Sequence, residues 1–222
     1  HPVTAALGFP QGLALPGNDT LGQLGQPAEV IVAGAHAVWP GTHEGLVQHA
    51  FIHGVDAALL AAAQLKAPKG AKVVYVPGNH DITNQEMLKA YKERFGRPHY
   101  HFVYRDTLFL SVNSEDTPGK GTHITPEQLA YFKKVAEANP SPRWTFIFLH
   151  KPMWVGKEVE INGWAELEKA LGDRQFTVFC GHEHVYEKFV RNGRNYYQLA
   201  TTGGGSRLRG IQYGEFDQIA WV

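Results

Sequence analysis

Four short apolar runs, separated by stretches of helical periodicity, place the strongest limits on how this chain can fold. They are EVIVA (29–33), KVVYV (72–76), RWTFIFL (143–149) and QFTVFC (175–180). Short runs rich in β-branched and aromatic residues that stop at Gly or Pro are typical of buried strands. Helices that alternate with such strands favour an α/β fold. Because the 222 residues contain no repeat and no linker, we expect one domain over 1–222, with a poorly defined N-terminal segment at 1–28.

The stretches between these runs carry start and stop signals of helices and turns. Thr83 and Glu86 make a capping box for a helix that ends at Gly96. Thr125, followed by a proline, begins a second helix that ends at Asn139. Further helices are predicted at 18–25, 44–66 and 164–171, a hairpin at 99–113 with its turn at 105–106, and hairpins after 185 that are split at 192–193 and 203–205.

Composition limits the classes of function. The chain has 21 Lys and Arg against 21 Asp and Glu, and a nucleic-acid substrate is not expected because phosphate-backbone binding relies on a basic excess. No apolar run is long enough for a transmembrane helix. The single cysteine, Cys180, excludes an intrachain disulfide and ends an apolar strand, so we expect a buried core thiol. The sequence leaves export and a cytoplasmic location open, and predicts no oligomeric state.

Histidines gather in the loops that follow three of the predicted strands. KVVYV leads to Asn79 and His80, RWTFIFL leads to His150, and QFTVFC leads to His182 and His184. The carboxyl ends of strands in an open α/β sheet form the crevice where ligands bind. If 180–184 continue the strand, His182 and His184 lie on one face, because side chains alternate with period two. Imidazoles with an amide oxygen suit Zn, Mn or Fe rather than Mg or Ca.

Three sequence blocks resemble those of the calcineurin-like metallophosphoesterases. The blocks are Gly78-Asn79-His80-Asp81, His150, and Gly181-His182-Glu183-His184, which match the family's G-N-H-[DE], H and G-H-x-H in order. The resemblance covers roughly 29–222. It implies two mixed β-sheets packed as a sandwich and flanked by helices, in four α/β/β/α layers. It also implies hydrolysis of a phosphomonoester or phosphodiester by water or hydroxide bound to metal.

The resemblance also implies a role for each matched residue. Asn79, His150 and His182 correspond to ligands of one metal, and His184 corresponds to a ligand of the other. His80 corresponds to the catalytic histidine that contacts the phosphate or protonates the leaving oxygen, with Asp81 orienting it. The implied cofactors are two divalent transition metals (Mn, Zn or Fe), and the implied partner is a small phosphoester substrate.

Two blocks of the family pattern are not found. The G-D block, whose aspartate bridges the two metals, should follow EVIVA, but Gly34 is followed by Ala35 and His36. The earlier D-x-H block is absent, unless His1 is its last residue. Without the bridging carboxylate, two cations repel one another with no anion between them. We therefore expect one well-held metal near His150 and His182, and a weaker or empty site near His184.

Three interpretations follow from this mixed pattern. The first is an active metal-dependent phosphoesterase. The second is a catalytically weak or inactive relative that binds metal or phosphate, because Ala35 replaces the bridging aspartate. The third is that the N-terminal third is not native, because the likeness falls sharply before residue 67. Four side chains have alternative assignments: Lys151 faces a phosphate or solvent, and Trp39, Trp154 and Trp164 rim a substrate groove, pack in the core or cover the surface.

Overall fold

Two β-sheets are present in the computed structural model, which describes residues 72–200 and 205–216 together with the backbone of 30–33. The smaller sheet pairs β1 (Val30–Ala33) with β2 (Lys72–Tyr75) in parallel, so that Ala33 lies opposite Tyr75. The larger sheet has six strands in the order β3-β4-β5-β6-β8-β7. Its strands are β3 (Tyr100–Tyr104), β4 (Thr107–Ser111), β5 (Trp144–Phe148), β6 (Phe176–Cys180), β7 (Glu187–Arg191) and β8 (Arg194–Gln198).

The directions of the strands in the larger sheet place one set of loops together. Strands β4, β5, β6 and β8 are mutually parallel, whereas the edge strands β3 and β7 each pair antiparallel with their neighbour. The loops after the four parallel strands therefore leave from the same edge. These loops contain the residues that follow Ser111, Phe148, Cys180 and Gln198.

Local signals explain the hairpins and most helix ends. Arg105 and Asp106 have φ of 46° and 59°, and the Asn192–Gly193 pair has φ of 50° and 72°. Positive φ at both turn residues fits the two-residue turn whose twist matches that of the strands, so the predicted hairpins at 99–113 and around 192–193 are confirmed. Helices α1 (Gln85–Phe95), α2 (Pro126–Ala138) and α3 (Trp164–Leu171) end before Gly96, Asn139 and Gly172.

One predicted helix start is wrong. The N-cap of α1 is Asn84, whose Oδ1 accepts a hydrogen bond from Met87 N at 2.8 Å. Thr83 instead donates from Oγ1 to the carbonyl of Asn79 at 2.5 Å. Asn is a somewhat better N-cap residue than Thr. The turn that carries Asn79 engages Thr83, and the cap therefore moves one residue along the chain.

The two faces of the six-stranded sheet have different cores. One face packs against α2 and α3 through aliphatic residues such as Leu108, Ile147 and Val178. The other face is aromatic, and its rings stack in pairs: Phe102 on Phe109 at 4.6 Å and Phe148 on Phe179 at 5.5 Å between centroids. Val74 in β2 and Val76 just after it belong to the same cluster as these aromatic rings. The mixed α/β fold is thus confirmed, and the complete four-layer sandwich remains a prediction.

Several predicted elements lie outside the described residues. They are the helices at 18–25 and 44–66, the positions of His1, Ala35, His36 and Trp39, and most of the glycine run at 203–205. Within the described part, Trp154 and Trp164 are buried core residues, so they do not rim a groove. Cys180 is a buried free thiol, as expected from its place at the end of β6.

Candidate metal centre

Three loops at the carboxyl ends of strands bring ligand-type side chains together. The loop after β2 carries Asn79, the loop after β5 carries His150, and the loop after β6 carries His182. Nε2 of His150 lies 2.6 Å from Asn79 Oδ1 and 3.0 Å from His182 Nδ1. The rings of His150 and His182 meet edge to face, 4.8 Å apart. The predicted meeting of the strand-end loops is therefore observed for these three residues.

Hydrogen bonding alone does not account for this arrangement of atoms. Each imidazole nitrogen carries either one hydrogen or one lone pair, so His150 Nε2 cannot form a full hydrogen bond to both neighbours. A cation accepts a lone pair from each of the three atoms. With metal–ligand bonds of about 2.1 Å, ligands stand about 3 Å apart in octahedral geometry and about 3.4 Å apart in tetrahedral geometry. The two imidazoles and the amide oxygen are thus ligand-type atoms close enough together to share one divalent cation.

The turn that presents Asn79 is held by its own backbone. Gly78 donates from N to Asp81 Oδ2 at 2.8 Å, and its carbonyl accepts from Asp81 N at 3.0 Å. Burial raises the pKa of Asp81 to about 6, and the hydrogen bond from Gly78 opposes that rise. The carboxylate of Asp81 thus fixes the turn on which His80 also sits. Its predicted role in orienting the His80 ring remains a prediction.

The expected geometry of the Gly181–His184 loop is wrong in one respect. β6 ends at Cys180, and His182 and His184 have φ of 77° and 59°. They therefore lie on a bend of left-handed residues rather than on a continued strand, and the period-two argument does not position them. Non-glycine residues in this region cost of order 1 kcal/mol or more and are frequent at functional sites. Gly181 itself is not among the residues with positive φ.

His184 is positioned from a distant part of the chain. Its Nδ1 lies 2.6 Å from the carbonyl oxygen of Gly205. A carbonyl can only accept, so Nδ1 of His184 donates this hydrogen bond. His184 and His80 both lie close enough to His182 to lower its pKa. The structure thus brings all five predicted loop residues to one region, with direct contacts among Asn79, His150 and His182.

The electrostatic surroundings favour the neutral form of His182. Burial is the largest cause that lowers the pKa of His182, followed by the positive charge of Lys151, whereas Glu183 raises it. A neutral imidazole keeps the lone pair that a metal ligand needs. This environment is thus consistent with the ligand-type contact between His182 and His150.

A buried ion pair next to His150 was not predicted from the sequence. Lys151 Nζ lies 2.9 Å from Glu115 Oε1, and the two side chains are 18% and 9% exposed. Ser114 donates to Glu115 at 3.2 Å and accepts from Lys151 N at 3.3 Å. Burial raises the pKa of Glu115, and the bond from Lys151 opposes the rise. Lys151 is therefore neither a simple exposed lysine nor an unattached cation beside the site.

The position of Glu115 shortly after β4 could have indicated from the sequence that it lies near the site. Asn113, Ser114 and Glu115 follow β4, at the same edge as the histidine loops. Among the described residues, no three His, Cys, Asp or Glu side chains form a group placed to hold a metal ion. In the described part of the chain, the third ligand-type atom beside His150 and His182 is the amide oxygen of Asn79.

These features define an α/β protein with a histidine-rich site at the carboxyl ends of its parallel strands. The model of the calcineurin-like phosphoesterase family matches residues 26–186, which is more than two thirds of the chain. The chain therefore belongs to the calcineurin-like phosphoesterase family. A search of curated proteins found no match. None of the helices in 72–200 and 205–216 has the length and hydropathy to span a bilayer.

Proposed function

We propose that this protein hydrolyses a small phosphomonoester or phosphodiester with a divalent transition metal, Mn, Zn or Fe. Membership of the calcineurin-like phosphoesterase family supports metal-dependent phosphoester hydrolysis as the general chemistry. The convergence of Asn79 Oδ1 and His182 Nδ1 on His150 Nε2, at 2.6 and 3.0 Å, carries the proposal. Asn79, His150 and His182 hold one metal, and His184 is a ligand of the second.

The residues around the site each have a physical task in this proposal. When bound, the metal would activate a water nucleophile and neutralise charge on the phosphate. His150 is only 2% exposed, so surrounding atoms restrict its ring. Lys151 adds a positive charge beside the site, and its pairing with Glu115 fixes where that charge lies. A fixed cation favours the binding of a phosphate anion.

His80 is proposed as the acid that protonates the leaving oxygen. It follows Asn79 on the same turn and lies close enough to His182 to affect the pKa of that ring. An imidazole titrates near neutral pH and is the usual proton donor in such reactions. Asp81 contributes by holding the turn through Gly78 N.

A second candidate function is a metal- or phosphate-binding protein of the same family with weak or no catalysis. The observation that favours it is Ala35, which has no ligand atom at the place where the family's bridging aspartate is expected. The pair β1–β2 is parallel and ends with Ala33 beside Tyr75. The carboxyl end of β1 therefore lies beside the carboxyl end of β2, the strand that leads to the loop of Asn79.

Metal content tests the proposed function most directly. Protein purified without a histidine tag and incubated with Mn²⁺ or Zn²⁺ should hold about one metal per chain, measured by elemental analysis. His150→Ala should lose most of it, whereas His123→Ala should keep it, because His123 bonds to Thr117 and not to the site. Less than about a fifth of a metal per chain in the unaltered protein would contradict the proposal.

The role of His80 has a separate test. His80→Ala should lower the rate of p-nitrophenyl phosphate or bis(p-nitrophenyl) phosphate cleavage about 10²–10⁴-fold if His80 is the acid. Its metal content should stay nearly unchanged. A parallel loss of metal would mean that His80 acts on the metal rather than on the leaving oxygen.

A further inference from the structure

Residues 205–216 form a closed segment, here named the clasp. Arg209 binds Glu215 through Nε at 2.9 Å and Nη2 at 2.5 Å. The backbones of Gly210 and Glu215 bond to each other in both directions, at 3.0 and 3.2 Å, around a 3-10 turn at Ile211–Tyr213. The guanidinium of Arg209 also lies over the Tyr213 ring, 4.4 Å from its centroid. The clasp is therefore tied together by its own contacts.

The clasp contacts the loop of His184 at three points. The carbonyl of Gly205 accepts from His184 Nδ1 at 2.6 Å. The carbonyl of Gly214 accepts from Tyr186 N at 2.7 Å. The rings of Tyr186 and Phe216 lie 5.7 Å apart. The two segments are thus joined by backbone and side-chain contacts at His184 and at Tyr186.

A close approach at Gly214 makes the fit depend on the absence of a side chain. Gly214 has φ of 67°, and a Cβ there would lie 2.4 Å from Tyr186 O and 2.8 Å from Val185 Cγ1. Real Cβ atoms do not approach backbone oxygens so closely. Only glycine at 214 therefore lets the clasp sit against Tyr186 and keep the Gly205 carbonyl on His184.

We propose that the clasp is a positioning device for His184, an inference that rests on the proposed function. Because Nδ1 donates to Gly205, a neutral His184 ring carries its lone pair on Nε2. A hydrogen bond to the far nitrogen of a ligand histidine fixes its tautomer and ring orientation. The clasp lies beyond residues 26–186, which the family model matches. The positioning of His184 thus comes from a part of the chain outside that match.

The test compares two glycine substitutions with similar backbone strain. Gly214→Ala adds a Cβ that collides with Tyr186. Gly193→Ala is the matched control, because Gly193 has φ of 72° and a Cβ there meets nothing within 4 Å. The tautomer of His184 is read in metal-free protein above neutral pH by long-range ¹H–¹⁵N correlation, with His184→Gln used only to assign the signal.

The expected result is a change confined to one variant. Unaltered protein and Gly193→Ala should show His184 as the Nδ1–H tautomer, and Gly214→Ala should show the Nε2–H tautomer as well. In titrations with Mn²⁺, the weaker binding event should lose about 10–100-fold in affinity in Gly214→Ala, as for other contacts that hold ligand histidines. The stronger event should stay within about twofold, because Asn79, His150 and His182 do not touch the clasp in the contacts described.

A second variant covers the case in which Gly214→Ala does not fold. Glu215→Gln removes the charge that binds Arg209 and should shift the tautomer in the same direction by a smaller amount. The positioning role would be overturned if the His184 tautomer were the same in every folded variant. It would also be overturned if Gly193→Ala changed that tautomer as much as Gly214→Ala does. A chain that binds no metal would contradict the proposed function instead, while the metal-free tautomer measurement would still decide the role of the clasp.

Discussion

His150 and His184 lie in the same candidate site, but the chain fixes them by different means. His150 follows β5 directly, is 2% exposed, and has Asn79 and His182 within 2.6 and 3.0 Å. His184 lies on a bend with φ of 59° and donates to a carbonyl 21 residues further along the chain. The position of His150 depends on β5, a strand that is packed in the core. The position of His184 depends on the clasp.

Because the two histidines are held differently, the two halves of the site should differ in how tightly they bind metal. The half of Asn79, His150 and His182 has its ligand-type atoms in mutual contact. The half of His184 relies on a separate segment and, by comparison with the family pattern, lacks the carboxylate expected where Ala35 stands. We therefore expect one strong and one weak metal site. Variants of the histidines and of Ala35 test that contrast directly, and variants of Lys151 and Glu215 test contacts that support each half.

The largest effect is expected from removing one histidine from each half. His150→Ala should weaken the stronger metal site at least about 100-fold, since loss of an outer contact alone costs 10–100-fold. His184→Ala should leave that site within about twofold and affect only the weaker one. Calorimetric titration with Zn²⁺ or Mn²⁺ separates the two events. Equal losses at both sites in both variants would show that the halves are not independent.

A carboxylate at position 35 should reduce the difference in affinity between the two metal sites. Ala35→Asp should strengthen the weaker site and raise the rate of phosphoester cleavage, each at least about tenfold, because a shared anion offsets the repulsion between two cations. Ala35→Asn is the matched control, since it has the same shape without the charge. If the aspartate variant behaves like the asparagine variant, the bridging position lies elsewhere.

The ion pair beside His150 predicts a change in stability. Lys151→Met leaves Glu115 buried without its cation, so the free energy of unfolding should fall by about 3 kcal/mol. Lys89→Met is the control, because the Lys89–Glu93 pair is exposed and its loss should cost less than about 0.5 kcal/mol. Adding Glu115→Gln to Lys151→Met should recover part of the loss in urea unfolding. Equal midpoints for the two lysine variants would contradict this.

The smallest effect is a pH dependence of the clasp. The hydrogen bond from Arg209 is the main cause that lowers the pKa of Glu215, and the charge of Arg207 lowers it further. The contribution of Glu215 is therefore complete above the ordinary pKa of glutamate, about 4.3, and is lost as the pH falls through the lower folded value. Hydrogen-exchange protection of the Tyr186 amide should then fall about two- to fivefold, the scale of a weak ion pair whose arginine is open to solvent. Glu215→Gln should show no such pH dependence.

Signals that act over a few residues were readable from the sequence. The hairpin turn at Arg105–Asp106 and the helix ends at Gly96 and Gly172 are decided by local backbone conformation, and these predictions are confirmed. The loops of His150 and His182 follow β5 and β6, which are parallel neighbours, so their meeting was readable from the strand order, whereas Asn79 follows β2 in the other sheet. Where two local signals competed, as at Thr83 and Asn84, the choice depended on a contact with Asn79 that lies outside the helix.

What the sequence did not predict depends on contacts between distant residues. His182 and His184 have positive φ although neither is a glycine, so their residue types did not indicate this backbone conformation. Glu115 pairs with a lysine 36 residues away, and the partner of His184 is a main-chain carbonyl, which no residue type can reveal. The ligand roles of Asn79, His150, His182 and His184, and the catalytic role of His80, remain predictions.

The dependence of His184 on the clasp also determines the order in which the two halves of the site can form during synthesis. A chain leaves the ribosome with its amino end first, and segments can fold as they emerge. His150 and His182 have been synthesised before Gly205 and Gly214 are added. The half of the site near β5 and β6 can thus assemble around the sheet first, and the half of His184 is the last to be completed. A newly made chain that stops short of residue 205 would carry a histidine-rich crevice whose second half has no support.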